Sequence, residues 1–333
     1  SARVRNLVEN PELISTYQYH NAKDGDADML IISKADFLPL MEEYIIYKES
    51  TGFFTETIST EDILSTYDGQ DDQEKIRNCI KDYYENYGIE YVILVGDADP
   101  ANEDQNIIPH RGLKAVDDYD IPADLYYSNL DGNWDENGNG VWGQIGEGDL
   151  FAEVAIGRFS VDSPAEIANM IHKHIMYQDS PVVDDGNKFL LVGENLNNNP
   201  LTWGGTYMDE LYYGTSNHGF TTAAISEAVE TSRIYDRDGT WNPTMIRDHF
   251  NTSGLNFLNH LGHSNVTYNM KMNNEDLTTQ AFRNDGIERG FCLGYSQGCY
   301  NGSFDNRNTN GGHGSGDSFA EKITTMETAD VAC

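Results

Sequence analysis

The sequence predicts an α/β protein with mostly parallel sheets and helices on both faces. Three observations carry that expectation. Short continuous apolar runs such as "ADMLIIS" (27–33) and "IEYVILVGDAD" (89–99) recur along the chain, as strands covered on both faces do. Longer stretches between them carry apolar residues at helical spacing and end in glycine. The chain of 333 residues is also too long for one small core, so two domains or one large α/β unit is expected.

Each element follows in order. After the first strand, "KADFLPLMEEYIIYKESTG" reads as a helix closed by Gly52, and "FFTETIST" as a strand. "DQEKIRNCIKDYYENYG" is an amphipathic helix that ends at Gly88, with Cys79 on its apolar face beside Ile80. "EVAIGRFSV" is a strand, followed by a helix with Ser163 as cap, Pro164 in its first turn and Glu166 completing a capping box. His172 and His174 are two apart on that helix, so they point in different directions and do not make a zinc pair. "DDGNKFLLVGEN" is a strand ending at Glu194, "WGGTYMDELYYGTSNHG" is helical after its glycines, and "FTTAAISE" is strand-like. A further helix lies in "SRIYDRDGTWNPTMIRDHFNTSG".

Two apolar strands then end at reactive residue types: "LNFLNHLGHSN" (255–265) at His263 and "GFCLGYSQGC" (290–299) at Cys299. The segment between them, 266–289, is long enough for a crossover, so the strands can lie parallel with their carboxyl ends side by side. A thiol is the better nucleophile as thiolate, and a neighbouring imidazole takes or orients its proton. Gly262, Ser264 and Gly298 allow close backbone approach at the two turns. On spacing alone the competing reading is two unconnected core residues, because buried cysteines are common. His260, three before His263, reads as structural, and Cys292 inside its apolar run as core. His313, in the glycine-rich "NGGHGSGD", reads as a surface residue.

Charge narrows the partners. Only 21 Lys and Arg stand against 55 Asp and Glu, a formal net charge of −34. Such a chain repels nucleic acid and anionic membrane surfaces. No apolar run is long enough to span a bilayer. The four cysteines show neither a CxxC pair nor a spaced framework, which speaks against a zinc ribbon or a disulfide scaffold. "SARVRNLVEN" reads as the inside of a longer precursor, and the end, "FAEKITTMETADVAC", as a helix, a turn and the first residues of a strand. Additional domains beyond the C-terminus are therefore expected.

The blocks "LNFLNHLGH", "SQGCYNGSF" and "EVAIGRFSVDSPAEIANMIHKHIMYQ", with "YVILVGDAD" and "FAEKI", resemble the gingipain-type cysteine peptidases of the caspase-like clan. The resemblance runs over roughly residues 27 to 333. It implies a caspase-like three-layer α/β sandwich with two side-by-side subdomains, at 1–183 and 184–333, the second catalytic and C-terminally truncated. By position it makes Cys299 the nucleophile and His263 the dyad histidine, with Glu194 where the family places a glutamate that supports the histidine. The backbone N–H groups of Ser264 and Cys299 would form the oxyanion hole. The family's Gly-His-Gly turn is altered, since Ser264 replaces the second glycine. Arginine-cleaving relatives place a substrate-pocket acid in a region resembling "TWGGTYMDE", which points to Thr206 or Tyr207, with Asp209 further on. The resemblance leaves the cleaved peptide bond unassigned.

"NLDGNWDENGNGVWGQIGEGD" (129–149) alternates side-chain oxygens with glycines. Asp131, Asn133, Asp135, Asn137 and Asn139, with Glu147 or Asp149 as a closing carboxylate, suit hard Ca²⁺. The register departs from an EF-hand, because the twelfth position from Asn133 is Gln144. The competing reading is an Asx- and Gly-rich turn loop. Bound calcium in gingipain relatives favours a structural Ca²⁺.

The expected function is therefore a secreted or cell-surface cysteine endopeptidase acting on proteins or peptides through a Cys-His dyad and a thioester. The alternatives are a catalytically inactive caspase-like module that binds peptides or calcium, or a sugar-binding or structural calcium protein.

Overall fold

The structure is a computed structural model and describes residues 27–115, 120–148, 150–314 and 316–332. The opening "SARVRNLVEN", Asp149 and Cys333 lie outside the described residues.

Four parallel strands make the first sheet: β1 (Met29–Ser33), β2 (Thr55–Ser59), β3 (Tyr91–Val95) and β4 (Ala155–Phe159), in the order β2-β1-β3-β4. Every residue of β1 is buried, which is why its apolar run is unbroken. Helices α1 (Glu42–Thr51), α2 (Thr60–Thr66) and α3 (Asp72–Tyr87) belong to this half. Asp71 caps α3 by accepting the Glu74 N–H at 2.9 Å, and α3 stops at Gly88, whose φ of 78° a side chain would resist. Cys79 is fully buried, and burial pushes its thiol up to about 12.

The second sheet is also parallel, with five strands in the order β6-β5-β7-β8-β9: β5 (Lys188–Gly193), β6 (Glu230–Tyr235), β7 (Phe257–Leu261), β8 (Cys292–Gln297) and β9 (Asp330–Ala332). Leu190 and Val192 of β5 join one core with Phe250, Leu258 and Phe319, while Leu191 joins Met208 and Tyr235 on the other face. This period-two division explains why the whole strand reads as apolar. Cys292 lies in the first of these cores, as expected.

Helix α4 (Pro164–Asp179) links the two halves. Its cap is Ser163, but Glu166 accepts the N–H of Asp162 rather than closing a box on Ser163. His174 packs against Phe159 of the first sheet, whereas His172 lies beside Phe291 of the second half. Lys173, fully buried, donates to the carbonyls of Thr324, Thr328 and Asp330, around α7 (Phe319–Thr325) and β9.

Two local expectations differ from the structure. "FTTAAISE" is not a strand. Phe220 faces solvent, and the neighbouring "ETSRIY" pairs with β5 because Ile234 and Tyr235 bury one side chain on each face of the sheet. Helix α5 (Gly204–Tyr213), which precedes α6 (Pro243–Asp248), includes its two glycines. A side chain on Gly204 would meet Leu261 O and Glu194 N, and one on Gly205 the Tyr235 ring, so the glycines let this helix press on the sheet edge. The crossover from β7 to β8 contains a small hairpin, Tyr268–Asn269 against Met272–Asn273, where a helix is the usual connection.

Candidate active site

The register of β7 on β8 levels the two reactive residues. Leu261 pairs with Gln297, and His263 and Cys299 each lie two residues beyond that pair. Both side chains are exposed at the carboxyl edge of the sheet, where ligand sites of open α/β sheets gather. The turns are joined directly: Ser264 Oγ donates to Cys299 O at 2.6 Å. Gly298 has to be glycine, because a Cβ there would collide with the Ser264 side chain. Tyr300, next to the thiol, has φ 59°, a left-handed conformation that non-glycine residues adopt at a cost of about 1–3 kcal/mol. The chain after Cys299 is thus bent sharply away, leaving the thiol at the tip.

The His263 ring is held by the main chain. Its Nε2 lies 3.0 Å from the carbonyl oxygen of Asn195. A carbonyl only accepts, so Nε2 carries the proton and the lone pair sits on Nδ1, the state in which an imidazole takes up a thiol proton.

Glu194 is buried at this edge but meets a different histidine from the one expected. Its Oε1 lies 3.2 Å from His260 Nε2, and its Oε2 accepts the backbone N–H of His263 at 3.2 Å. His260, fully buried, also pairs with Ser296 Oγ at 2.9 Å. The carboxylate therefore fixes the His263 turn through the main chain, and His260 serves the structure, as its place within the strand predicts.

A cleft of about 660 Å³ opens beside the thiol, lined by Cys299, Tyr300, Ser303 and Arg307 on one side and by Ile121 and Pro122 on the other. Its walls come from both halves of the chain. Thr206 and Asp209 are not among its lining residues. Thr206 and Tyr207 are exposed on α5, and Asp209 is engaged by Arg233 at 3.2 Å and Arg237 at 2.7 Å. The acid in "TYMDE" is thus already neutralised by two guanidinium groups.

The 131–147 loop is a run of Asx turns. Asp135 accepts the N–H groups of Asn139 and Gly140, both at 3.0 Å. Asn133 accepts from Asp135 N, and Asn139 from Val141 N. Asn137 donates to Glu147, and Asp131 lies 3.5 Å from the Asn129 amide. Among the described residues, Asp131, Asp135 and Glu147 do not bring three carboxylate oxygens within 4.8 Å of one another. The loop's side chains satisfy its own backbone donors.

Sequence reasoning missed one cluster. His110, Asp120 and Asp305 do converge within 4.8 Å. His313, expected on the surface, is only 23% exposed and packs against them. The pairing of residues near 110 with residues near 310 leaves no local spacing signal.

An exposed thiol and an imidazole at the carboxyl edge of a parallel sheet define a site of the thiol–imidazole class. The family model of Peptidase family C25 matches residues 22–331, and the chain belongs to that family. It is 24% identical over 244 residues to Gingipain R2 of Porphyromonas gingivalis, covering 72% of this chain and 28% of that protein. With Lys-gingipain of the same organism it shares 24% over 250 residues, or 72% of this chain and 12% of the relative. The chain thus spans under a third of the length of these relatives. The crystal structure of the Arg-specific cysteine proteinase gingipain R superposes with a TM-score of 0.64 at 21% identity, covering 95% of this chain and 63% of that one. The fold is the caspase-like α/β fold of that protein.

Proposed function

We propose that the chain is a cysteine endopeptidase acting through Cys299 and His263. The observation that carries the reading is the level register of the two residues, locked by the Ser264–Cys299 bond. In the proposed reaction His263 takes the thiol proton, and the sulfur adds to the peptide carbonyl carbon. The resulting oxyanion accepts from the N–H groups of Ser264 and Cys299, each donor contributing about 3–4 kcal/mol in sites of this type. The C–N bond then breaks, His263 returns its proton to the leaving amine, and a thioester remains. Water activated by the same imidazole adds to the thioester and releases the acid and the thiol.

Glu194 has a positioning role in this reading, holding the His263 turn. Substrates would be proteins or peptides, bound in the cleft between Tyr300 and Ile121. A secreted or cell-surface location goes with the family relationship, and among the described residues no helix is long and apolar enough to cross a membrane. Calcium in the 131–147 loop is a separate part of the proposal, in which the ion would displace some of the Asx turns.

The test is peptide cleavage and iodoacetamide labelling of wild type, Cys299→Ala and His263→Ala. Cleavage is expected only in wild type, with labelling lost in Cys299→Ala and slowed in His263→Ala. Cleavage that survives Cys299→Ala, or a wild-type thiol that never labels, overturns the reading.

A further inference from the structure

We propose that His110, Asp120 and Asp305, with His313 beside them, form a binding site for a zinc-class divalent cation that clamps Asp305, in the loop after Cys299, to His110 and Asp120. His110 Nε2 lies 3.2 Å from Asp120 Oδ1 and 3.6 Å from Asp305 Oδ2. His313 lies 3.6 Å from each carboxylate, through Nε2 to Asp120 and Nδ1 to Asp305. The ligand atoms of His110, Asp120 and Asp305 lie within 4.8 Å of one another, and ligands about 2.0–2.1 Å from a tetrahedral ion are about 3.3 Å apart, so these three can share one cation.

One feature points to a missing positive charge. Asp305 is fully buried, and its Oδ2 has no hydrogen-bond partner, while Oδ1 accepts from Ser303 Oγ at 2.8 Å and Arg307 N at 3.3 Å. A buried carboxylate oxygen facing two imidazoles without a donor is costly unless a cation meets it. His313 Nδ1 donates to the main-chain oxygen of Asp305 at 2.9 Å, which fixes that ring beside the cluster.

The donor set selects the ion. Calcium takes oxygen ligands almost exclusively, whereas an imidazole with two carboxylates suits zinc, and the two carboxylates balance its charge. The site lies directly behind the thiol cleft. Ser303 and Arg307, which flank Asp305, line one wall, and Ile121 and Pro122, which follow Asp120, line the other. A bound ion would hold these walls at a set separation. Its effect on cleavage rests on the peptidase reading, but the binding does not.

The test uses the full chain carrying Cys299→Ala, so that the thiol is not a competing ligand, stripped with a chelator and titrated with Co²⁺ in excess calcium. One equivalent is expected to bind with the visible absorption of tetrahedral cobalt, and Zn²⁺ should displace it. His110→Gln and Asp305→Asn should each weaken binding at least tenfold, with Asp120→Asn as a third variant should either fail to fold. Absence of binding, or binding unchanged in the folded variants, overturns the site. With the thiol intact, chelation should lower kcat/KM and one equivalent of zinc restore it. If cobalt binds as expected but wild type cleaves no peptide under any metal condition, the peptidase reading fails and the site stands. A cleavage rate indifferent to chelation removes the clamp.

Discussion

The Glu194 carboxylate meets the ring of His260 at 3.2 Å and only the backbone N–H of His263. Glu194→Ala would leave a buried imidazole nitrogen and a backbone donor unpaired, at about 1–3 kcal/mol each. A loss of about 2–4 kcal/mol in urea unfolding is expected, together with a fall in cleavage. Glu194→Gln can still accept from His263 N–H and donate to His260, so it should recover most of the stability. An Ala variant as stable and as active as wild type would remove Glu194 from the site.

How much of this was readable in advance follows from the range of each interaction. β7 and β8 announce themselves because both faces are covered, so their apolar runs are continuous, and the polar residues after them mark the carboxyl edge. Which histidine faces Glu194 was not readable. That depends on the register Val192–His260 and on how the chain turns at Gly262, where a Cβ would strike both Glu194 and His260. The strand at Glu230–Tyr235 was displaced by eight to ten residues in the reading of "FTTAAISE", since both stretches mix Thr, Ser and apolar residues and only packing against β5 separates them. His110 and Asp305 are far apart in sequence, and nothing local couples them.

Ser264→Ala removes the hydroxyl that donates to Cys299 O, a single bond with a net value of about 0.5–1.5 kcal/mol. Stability should fall by that amount. If the bond also holds the Cys299 turn, kcat should drop several-fold with KM little changed. Ser264→Gly, which restores the residue pattern of the resembling family, tests whether the turn itself suffices. Equal kinetics for all three proteins would mean that the bond is structural alone.

Lys173 donates to three carbonyls, those of Thr324, Thr328 and Asp330, from a fully buried position. Lys173→Met keeps the length and apolar stem but strands those oxygens. Unfolding free energy should drop by about 2–5 kcal/mol, as for other broken buried charge networks. Because the partners lie in α7 and β9, hydrogen exchange should quicken there before it quickens in β1 and β3. Uniform quickening would refute α4 as the link between the halves.

Calcium, if it enters the 131–147 loop, has to compete with the N–H groups that Asp135 accepts from Asn139 and Gly140. Binding to the folded state alone stabilises by RT ln(1 + [L]/Kd), or about 2.7 kcal/mol at a hundredfold excess over Kd. Millimolar calcium should therefore raise the Tm of wild type by several degrees and that of Asp135→Ala by much less. A chelator should reverse the gain. No shift in wild type would leave the loop as Asx turns only.

Asp97 lies two residues beyond β3, next to Glu321 of α7, and burial is the main reason its carboxyl is pushed up to about 6. Burial, with Asp97 beside it, pushes Glu321 up as well. A carboxyl with a raised folded-state pKa binds more protons folded than unfolded. Its contribution to stability is complete below the unfolded value near 4 and is lost as pH rises through about 6. His174 acts the other way over part of this range: burial lowers it to about 4, so stability rises between there and its unfolded value near 6.5. The net slope of the wild type also carries Glu166 and Asp330, each pushed up by burial to about 7, so the informative quantity is the difference from Asp97→Asn. The amide keeps an acceptor for Ala98 N–H, which Asp97 Oδ1 accepts at 2.7 Å, but cannot ionise. Relative to wild type, Asp97→Asn should gain on the order of 1–3 kcal/mol between pH 4 and pH 7, read from urea midpoints at each pH. A constant difference across that range would show that the two carboxyls do not share a proton between the halves.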